Sequence, residues 1–225
     1  MNQSFKSIFS IASQHLTRGL DWLFPRVCYG CRTSHQPEKI SNICIFCWGK
    51  MAQPQHLQVS HANLEIFSAG IYEEPLKRTI IQAKFKNNIM CRDVAFELIY
   101  STYQKIPLRF DLITSVPASY WRSFARGIDL PGSLAKQLSR QTQIEFRTNV
   151  LKKGQKQKRQ GRLNSLERAE NMKNAFEAAP DVRGKTILVI DDIMTTGNTI
   201  KACYRALKRH KPAHIVFLTI AKTSF

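Results

Sequence analysis

Two adjacent aspartates and a threonine-rich turn are the residues of this 225-residue chain whose types and spacing most directly suggest chemistry. In residues 185–199, KTILVIDDIMTTGNT, an apolar run from Ile187 to Ile190 ends in Asp191 and Asp192. Thr195, Thr196, Gly197, Asn198 and Thr199 follow. The run has the unbroken character of a strand buried on both faces of a parallel sheet. Beyond the turn, Ile200, Cys203, Tyr204 and Leu207 recur at helical spacing. Carboxylates at a strand end can accept hydrogen bonds from sugar hydroxyls. Threonine hydroxyls and free amides at a helix start can take a phosphate, and Gly197 permits positive φ. The stretch therefore predicts a pocket for a phosphorylated sugar. An ordinary strand-to-helix turn draws on the same residue types as caps, but it does not require two acids and three threonines together. No Gly-Lys-Ser/Thr follows, so this is not a Walker A loop.

A second set of residues suggests a metal. Four of the six cysteines form Cys28-x2-Cys31 and Cys44-x2-Cys47, separated by twelve residues. Two such pairs predict a tetrahedral thiolate site for structural Zn2+. Disulfides are the alternative, and they suit secreted chains. His35 reads as a loop residue that could replace one ligand. Cys91 and Cys203 have no partner pattern, and Cys203 falls on an apolar helical face.

Charge points to an anionic partner. Lys and Arg number 34 against 16 Asp and Glu, a formal net charge of +18. Residues 151–225 hold 16 of the basic residues and 6 of the acidic ones. Within them Lys152, Lys153, Lys156, Lys158, Arg159 and Arg162 precede any acid, and Gly154 and Gly161 loosen the run. A lid over an anionic ligand and a strip for a nucleic-acid backbone both fit this pattern. An apolar content of 43% is that of a globular protein.

The elements that must position these residues are legible in part. Residues 5–24 place Phe5, Ile8, Phe9, Ala12, Leu16 and Leu20 on one helical face, an amphipathic helix rather than a signal peptide. Docking on the protein and lying on a membrane surface are its two readings. No run of about eighteen apolar residues occurs to span a bilayer. Residues 57–72 read as two strands around His61-Ala62-Asn63. Pro75 opens a helix with Leu76, Ile80, Ile81 and Phe85 inward. Lys84 and Lys86 flank Phe85 as solvated or snorkelling lysines, with a phosphate contact as the alternative. Residues 93–103 form a second helix. Residues 111–116 are a strand running into Val116, Pro117, Ala118 and Ser119. Arg122 and Arg126 follow, and guanidinium groups there suit a pyrophosphate. A basic surface turn is the alternative reading. A helix starts near Asp129 or Pro131, a strand near 149–152, and a further helix carries Leu163, Leu166, Ala169 and Met172. The strand at 214–220 closes the sheet. Strands alternating with helices from residue 111 predict an α/β fold with a mainly parallel sheet and its ligand at the carboxyl ends.

The turn at 191–199 resembles the phosphoribosyl pyrophosphate (PRPP) loop of type I phosphoribosyltransferases. With the four cysteines, Tyr72, Leu76, Lys84-Phe85, Val116-Pro117, Arg126-Gly127, Gln160, Leu163, Arg168, Asn171 and Phe176, the chain is similar to the ComF family. That resemblance runs from about Leu23 and implies a type I phosphoribosyltransferase-like domain at 57–225 and a zinc ribbon at 25–56, preceded by the amphipathic helix read at 1–24. It implies Asp191 and Asp192 on the ribose, Thr195 to Thr199 on the 5′-phosphate, and Val116 to Ser119 on the pyrophosphate side. The family's Arg-Gly-Phe-Asn-Gln reads Arg126-Gly127-Ile128-Asp129-Leu130 here, so no base-recognition or catalytic role is carried onto the last three positions. The implied function is that of a cytoplasmic accessory protein of natural transformation, binding single-stranded DNA and PRPP with Mg2+, with other competence proteins as partners. A working phosphoribosyltransferase is the second reading, and a zinc-dependent scaffold with a vestigial loop the third.

Overall fold

The computed structural model describes residues 27–33, 43–59, 64–117, 128–154 and 175–224. A short helix α1 (Ile45–Met51) leads into strand β1 (Gln55–Val59) and its antiparallel partner β2 (Leu64–Ile71). Two helices follow, α2 (Leu76–Phe85) and α3 (Ile89–Tyr103), and then β3 (Leu112–Ser115), α4 (Leu130–Thr142) and β4 (Glu145–Phe146). Strands β5 (Leu151–Lys153) and β6 (Phe176–Ala178) form a separate antiparallel pair. Strand β7 (Thr186–Met194), helix α5 (Asn198–Lys208) and strand β8 (His214–Lys222) complete the chain.

The six-stranded sheet has the order β1-β2-β8-β7-β3-β4, parallel except at the β1–β2 edge. Residues 187–190 of β7 are wholly buried because helices cover both faces of the strand. Leu188 and Ile190 join a cluster with Leu76 and Ile80 of α2, Val94 of α3 and Leu134 of α4. Ile187 and Val189 face the other way, onto Ile200, Cys203 and Leu207 of α5. The expected mainly parallel α/β architecture is present. Strand β7 is longer than the sequence pattern predicts, because pairing with β8 continues through Asp191, Ile193 and Met194. Strand β8 does not close the sheet at an edge but lies inside it, between β2 and β7. Helix α3 begins at Ile89, capped by the Asn88 side chain. Its first turn escaped the periodicity because Ile89 and Met90 are exposed apolar residues.

The strand order creates a switch point. From β3 the chain moves outward to β4, whereas from β7 it moves to β8 on the opposite side. The connections diverge, so a crevice opens at the carboxyl ends of β3 and β7, where open α/β sheets bind their ligands.

Gly70 on β2 holds the cysteine-bearing segment against the sheet. A β-carbon there would meet the Met51 carbonyl and lie 2.7 Å from Leu76 Cδ2. Gly70→Ala is expected to cost about 1–3 kcal/mol or more by overpacking, read as a lower denaturant midpoint with an unchanged slope. An unshifted midpoint would contradict the close approach.

Candidate functional site

The ends of β3 and β7 are tied together by backbone. Val116 donates its amide to the Ile190 carbonyl at 2.9 Å, one residue before Asp191. Val116 therefore lies beside the acidic pair. Ala118, Ser119, Arg122 and Arg126 lie outside the described residues.

Because Asp191 and Asp192 lie within a strand, alternation sends them to opposite faces. Asp191 is buried on the α5 side, where Cys203 lies close enough to feel its charge. Its Oδ1 accepts the Asp192 amide at 2.9 Å. Burial and the neighbouring Asp192 charge push the Asp191 carboxyl up to about 7, against the pull of that amide and of Lys84. Asp192 is half-buried on the α2 side. It accepts the Ile193 amide at 2.7 Å on Oδ1 and pairs with the Lys84 ammonium through Oδ2. The two acids are thus chemically distinct, one able to hold a proton near neutrality and the other ion-paired.

After Met194 the chain turns through exposed Thr195 and Thr196 to Gly197, whose φ of 70° lies in the left-handed region that glycine favours. Helix α5 then starts at Asn198, and no side chain among the described residues caps its first turn. Asn198 and Thr199 are exposed there. The end of β8 braces this loop, since Thr223 donates its amide to the Met194 carbonyl at 3.0 Å. Uncapped amides, exposed hydroxyls and a half-buried carboxylate lie along one stretch, a donor and acceptor set that suits a phosphate and a sugar hydroxyl.

The four cysteines converge separately from this site. Their sulfur atoms all lie within 4.8 Å of one another, and Cys31 and Cys44 are 3.9 Å apart. A tetrahedron with zinc–sulfur bonds of about 2.3 Å has edges of about 3.8 Å, and all four thiols are unbridged. The Cys44 amide points at Cys28 Sγ at 3.3 Å, and the Cys47 amide at Cys44 Sγ at 3.5 Å. Such donors stabilise thiolates and orient ligands. The Thr33 hydroxyl and amide bring the Cys31 thiol down to about 6, whereas burial pushes Cys47 up. The cluster can hold a zinc ion. Gly30 passes so close that a β-carbon would lie 2.7 Å from Cys47 Sγ and 3.2 Å from Pro75. Its carbonyl accepts Arg78 Nη1 of α2 at 3.0 Å. His35 lies outside the described residues.

Comparison with known proteins bears on the sheet and its loop. Residues 125–224, which contain α4 through β8 and the 191–199 stretch, match the phosphoribosyl transferase domain family. That stretch of the chain is similar to the phosphoribosyl transferase domain family. Its relatives include "Competence protein F" of Haemophilus influenzae, 30% identical over 151 residues that cover 62% of this chain and 65% of that protein. The match thus spans a little under two thirds of that relative's length. "DNA utilization protein YhgH" of Escherichia coli K12 is 27% identical over 211 residues, covering 88% of this chain and 90% of that protein. A solved glutamine PRPP amidotransferase from B. subtilis, complexed with ADP and GMP, is 18% identical. It covers 62% of this chain and 30% of that one, with a TM-score of 0.45. The chain is homologous to Competence protein F and YhgH, in agreement with the resemblance drawn from its motifs.

Within the matched residues, Asp129 has a structural task. Its side chain caps α4 by accepting the Gly132 amide at 3.1 Å, a task that asparagine at this position would perform equally well. Of the basic run, Lys152 is exposed and Lys153 half-buried on β5, and Lys153 is near enough to Cys203 to act on its thiol. Lys156, Lys158, Arg159 and Arg162 lie outside the described residues, as do residues 1–24. Tyr204, on the helical spacing of Ile200, Cys203 and Leu207, is 7% exposed and part of the core. Among the described residues no helix is long and apolar enough to cross a membrane. Sequence reasoning missed two features. Lys84 reaches Asp192 from α2, 108 positions away, and only the phosphate alternative for Lys84-Phe85 hinted at it. Thr219 lies in register with Asp191 and with Ser68, and its buried hydroxyl has no hydrogen-bond partner among the described residues. Nothing in an apolar run such as HIVFLTIAK marks that position.

Gly30→Ala is expected to weaken Zn2+ retention, measured by competition with a chromophoric chelator, because the methyl displaces Cys47. Retention equal to the wild type would contradict the packing. For Asp191, the native carboxyl keeps a proton that the unfolded chain releases above its ordinary value of 3.8. Stability therefore falls as pH rises from about 4 to about 7, and the loss is complete above that. Asp191→Asn is expected to flatten this slope, removing a difference on the order of 4 kcal/mol, in denaturant midpoints taken across the window. Parallel pH profiles for the two proteins would refute it.

Proposed function

We propose that this chain is an accessory protein of DNA uptake that binds single-stranded DNA and, at the carboxyl ends of β3 and β7, PRPP with Mg2+. The observation that carries the reading is the backbone-tied junction of those strands, which gathers Val116, the acidic pair and the uncapped start of α5. In this reading Asp192 accepts a ribose hydroxyl, while buried Asp191 supports it from the opposite face. Residues 195–199 take the 5′-phosphate, and residues 116–119 with Arg122 and Arg126 take the pyrophosphate. Mg2+ would arrive with the pyrophosphate, since the two acids face apart and do not form a joint chelate. The DNA part draws on the names of the homologues Competence protein F and YhgH, on the net charge of +18 and on the basic run from Lys152 to Arg162. Zn2+ in the cysteine cluster is structural, holding a 25–56 ribbon against the 57–225 domain, with 1–24 as a docking helix. A cytoplasmic location and contacts with other competence proteins belong to the same reading.

An active phosphoribosyltransferase is the second reading, favoured by the intact acidic pair and loop within the matched domain. Catalysis would then rest on positioning and charge neutralisation.

Titration of Mg2+-PRPP into the purified protein is expected to saturate, and to be abolished when Asp191→Ala and Asp192→Ala are combined. Single-stranded DNA affinity is expected to fall about a hundredfold between ~50 and ~200 mM salt. Salt-independent DNA binding would sink the DNA part, and no PRPP saturation would sink the ligand part. Pyrophosphate release in the presence of a base would favour the second reading.

A further inference from the structure

Lys84 is the penultimate residue of α2, and its ammonium pairs with Asp192 Oδ2 across the face of the sheet. The lysine side chain is 32% exposed and the carboxylate 15%, so the pair sits at the lip of the crevice. Both carboxylate oxygens already have donors: the fixed Ile193 amide on Oδ1 and the ammonium on Oδ2. The Ile193 amide ties Oδ1 to the backbone, so a sugar hydroxyl seeking Asp192 meets Lys84 at Oδ2 and must share that oxygen or displace the ammonium. The helix beneath the lysine does not yield. Its Leu76, Thr79, Ile80 and Ala83 are buried, Arg78 holds the Gly30 carbonyl, and Pro75 packs against Gly30. The part that can move is the flexible lysine stem with its compact charge.

We propose that Lys84 guards Asp192, so that the site accepts a ligand only when sugar hydroxyls and a phosphate arrive together. This rests on the sugar-phosphate reading above. Stripping a half-buried ammonium from its carboxylate leaves an uncompensated charge, which is costly unless another anion receives it. A sugar without phosphate breaks the pair and offers Lys84 nothing. A phosphate without the sugar hydroxyl gives Lys84 a partner but leaves the Asp192 carboxylate bare. A ribose phosphate replaces both interactions at once, with the hydroxyl on Asp192 and the phosphate on the ammonium. The guard therefore selects ribose phosphates over the deoxyribose backbone of DNA, and in the proposed function it keeps a DNA strand out of the sugar-phosphate site.

The test compares wild type, Lys84→Met and Lys84→Arg with Mg2+ at constant ionic strength, by calorimetry for PRPP and ribose 5-phosphate and by ligand-observed NMR for ribose. Losing one charged hydrogen bond predicts that Lys84→Met binds PRPP and ribose 5-phosphate about 10- to 100-fold more weakly. The same variant is expected to bind ribose more tightly than the wild type, because its Asp192 is no longer occupied. Lys84→Arg is expected to restore the wild-type order of ligands. Ribose affinity that is unchanged, or that falls in parallel with the phosphorylated ligands, would overturn the guard and leave Lys84 as a phosphate contact or a packing residue. A wild type that binds neither PRPP nor ribose 5-phosphate would instead remove the sugar-phosphate reading on which the guard depends. Thermal midpoints and zinc content matching the wild type verify that each variant is folded.

Discussion

Strand β7 turns from apolar to acidic while it is still inside the sheet, and the rest of the site follows from that constraint. Backbone pairing with β8 continues past Ile190, so the two carboxylates inherit the alternation of a strand and are driven to opposite faces. One goes under α5 into a low-dielectric environment that favours its neutral form. The other emerges towards α2, where a lysine compensates it. Had the strand ended at Ile190, both acids would have been loop residues free to face the same ligand. The divergence gives the crevice one rigid buried carboxyl and one accessible, ion-paired carboxylate.

The cysteine cluster and the crevice are linked through α2. Its amino-terminal half touches the cluster through Pro75 and Arg78, and the Thr79 hydroxyl lies 3.6 Å from buried Met51 Sδ. Its carboxyl-terminal end delivers Lys84 to Asp192. The cysteines Cys28, Cys44 and Cys47 belong to the same apolar cluster as Leu188 and Ile190 of β7. The cysteine segment therefore packs as part of one face of the domain. A metal bound there would brace a helix whose far end carries a site residue.

Much of this was readable from residue types and spacing, for physical reasons that hold locally. The β7 run, the glycine at positive φ, the helical face of α5 and the paired cysteines are all short-range patterns. A parallel sheet under helices demands continuous apolar strands, and a thiolate metal site demands paired cysteines. Strand β8 was visible as a strand, but its interior place was not, because neighbours in a sheet are chosen by crossovers and not by the strand's own residues. Tyr204, by contrast, follows its helical spacing with Ile200, Cys203 and Leu207 into the core.

The sequence by itself determined the α/β class, the position of the threonine–glycine turn between a strand and a helix and the four-cysteine set, since each depends on residues close together in the chain. Tertiary structure alone decided that Asp191 and Asp192 part company, that Lys84 answers Asp192, that Thr219 lies buried beside Asp191, and that Gly30 wedges between Cys47 and Pro75. These are contacts between segments far apart in sequence, brought together by strand pairing and helix packing. No local pattern encodes them, because each partner is an ordinary residue until the sheet order places it beside the other.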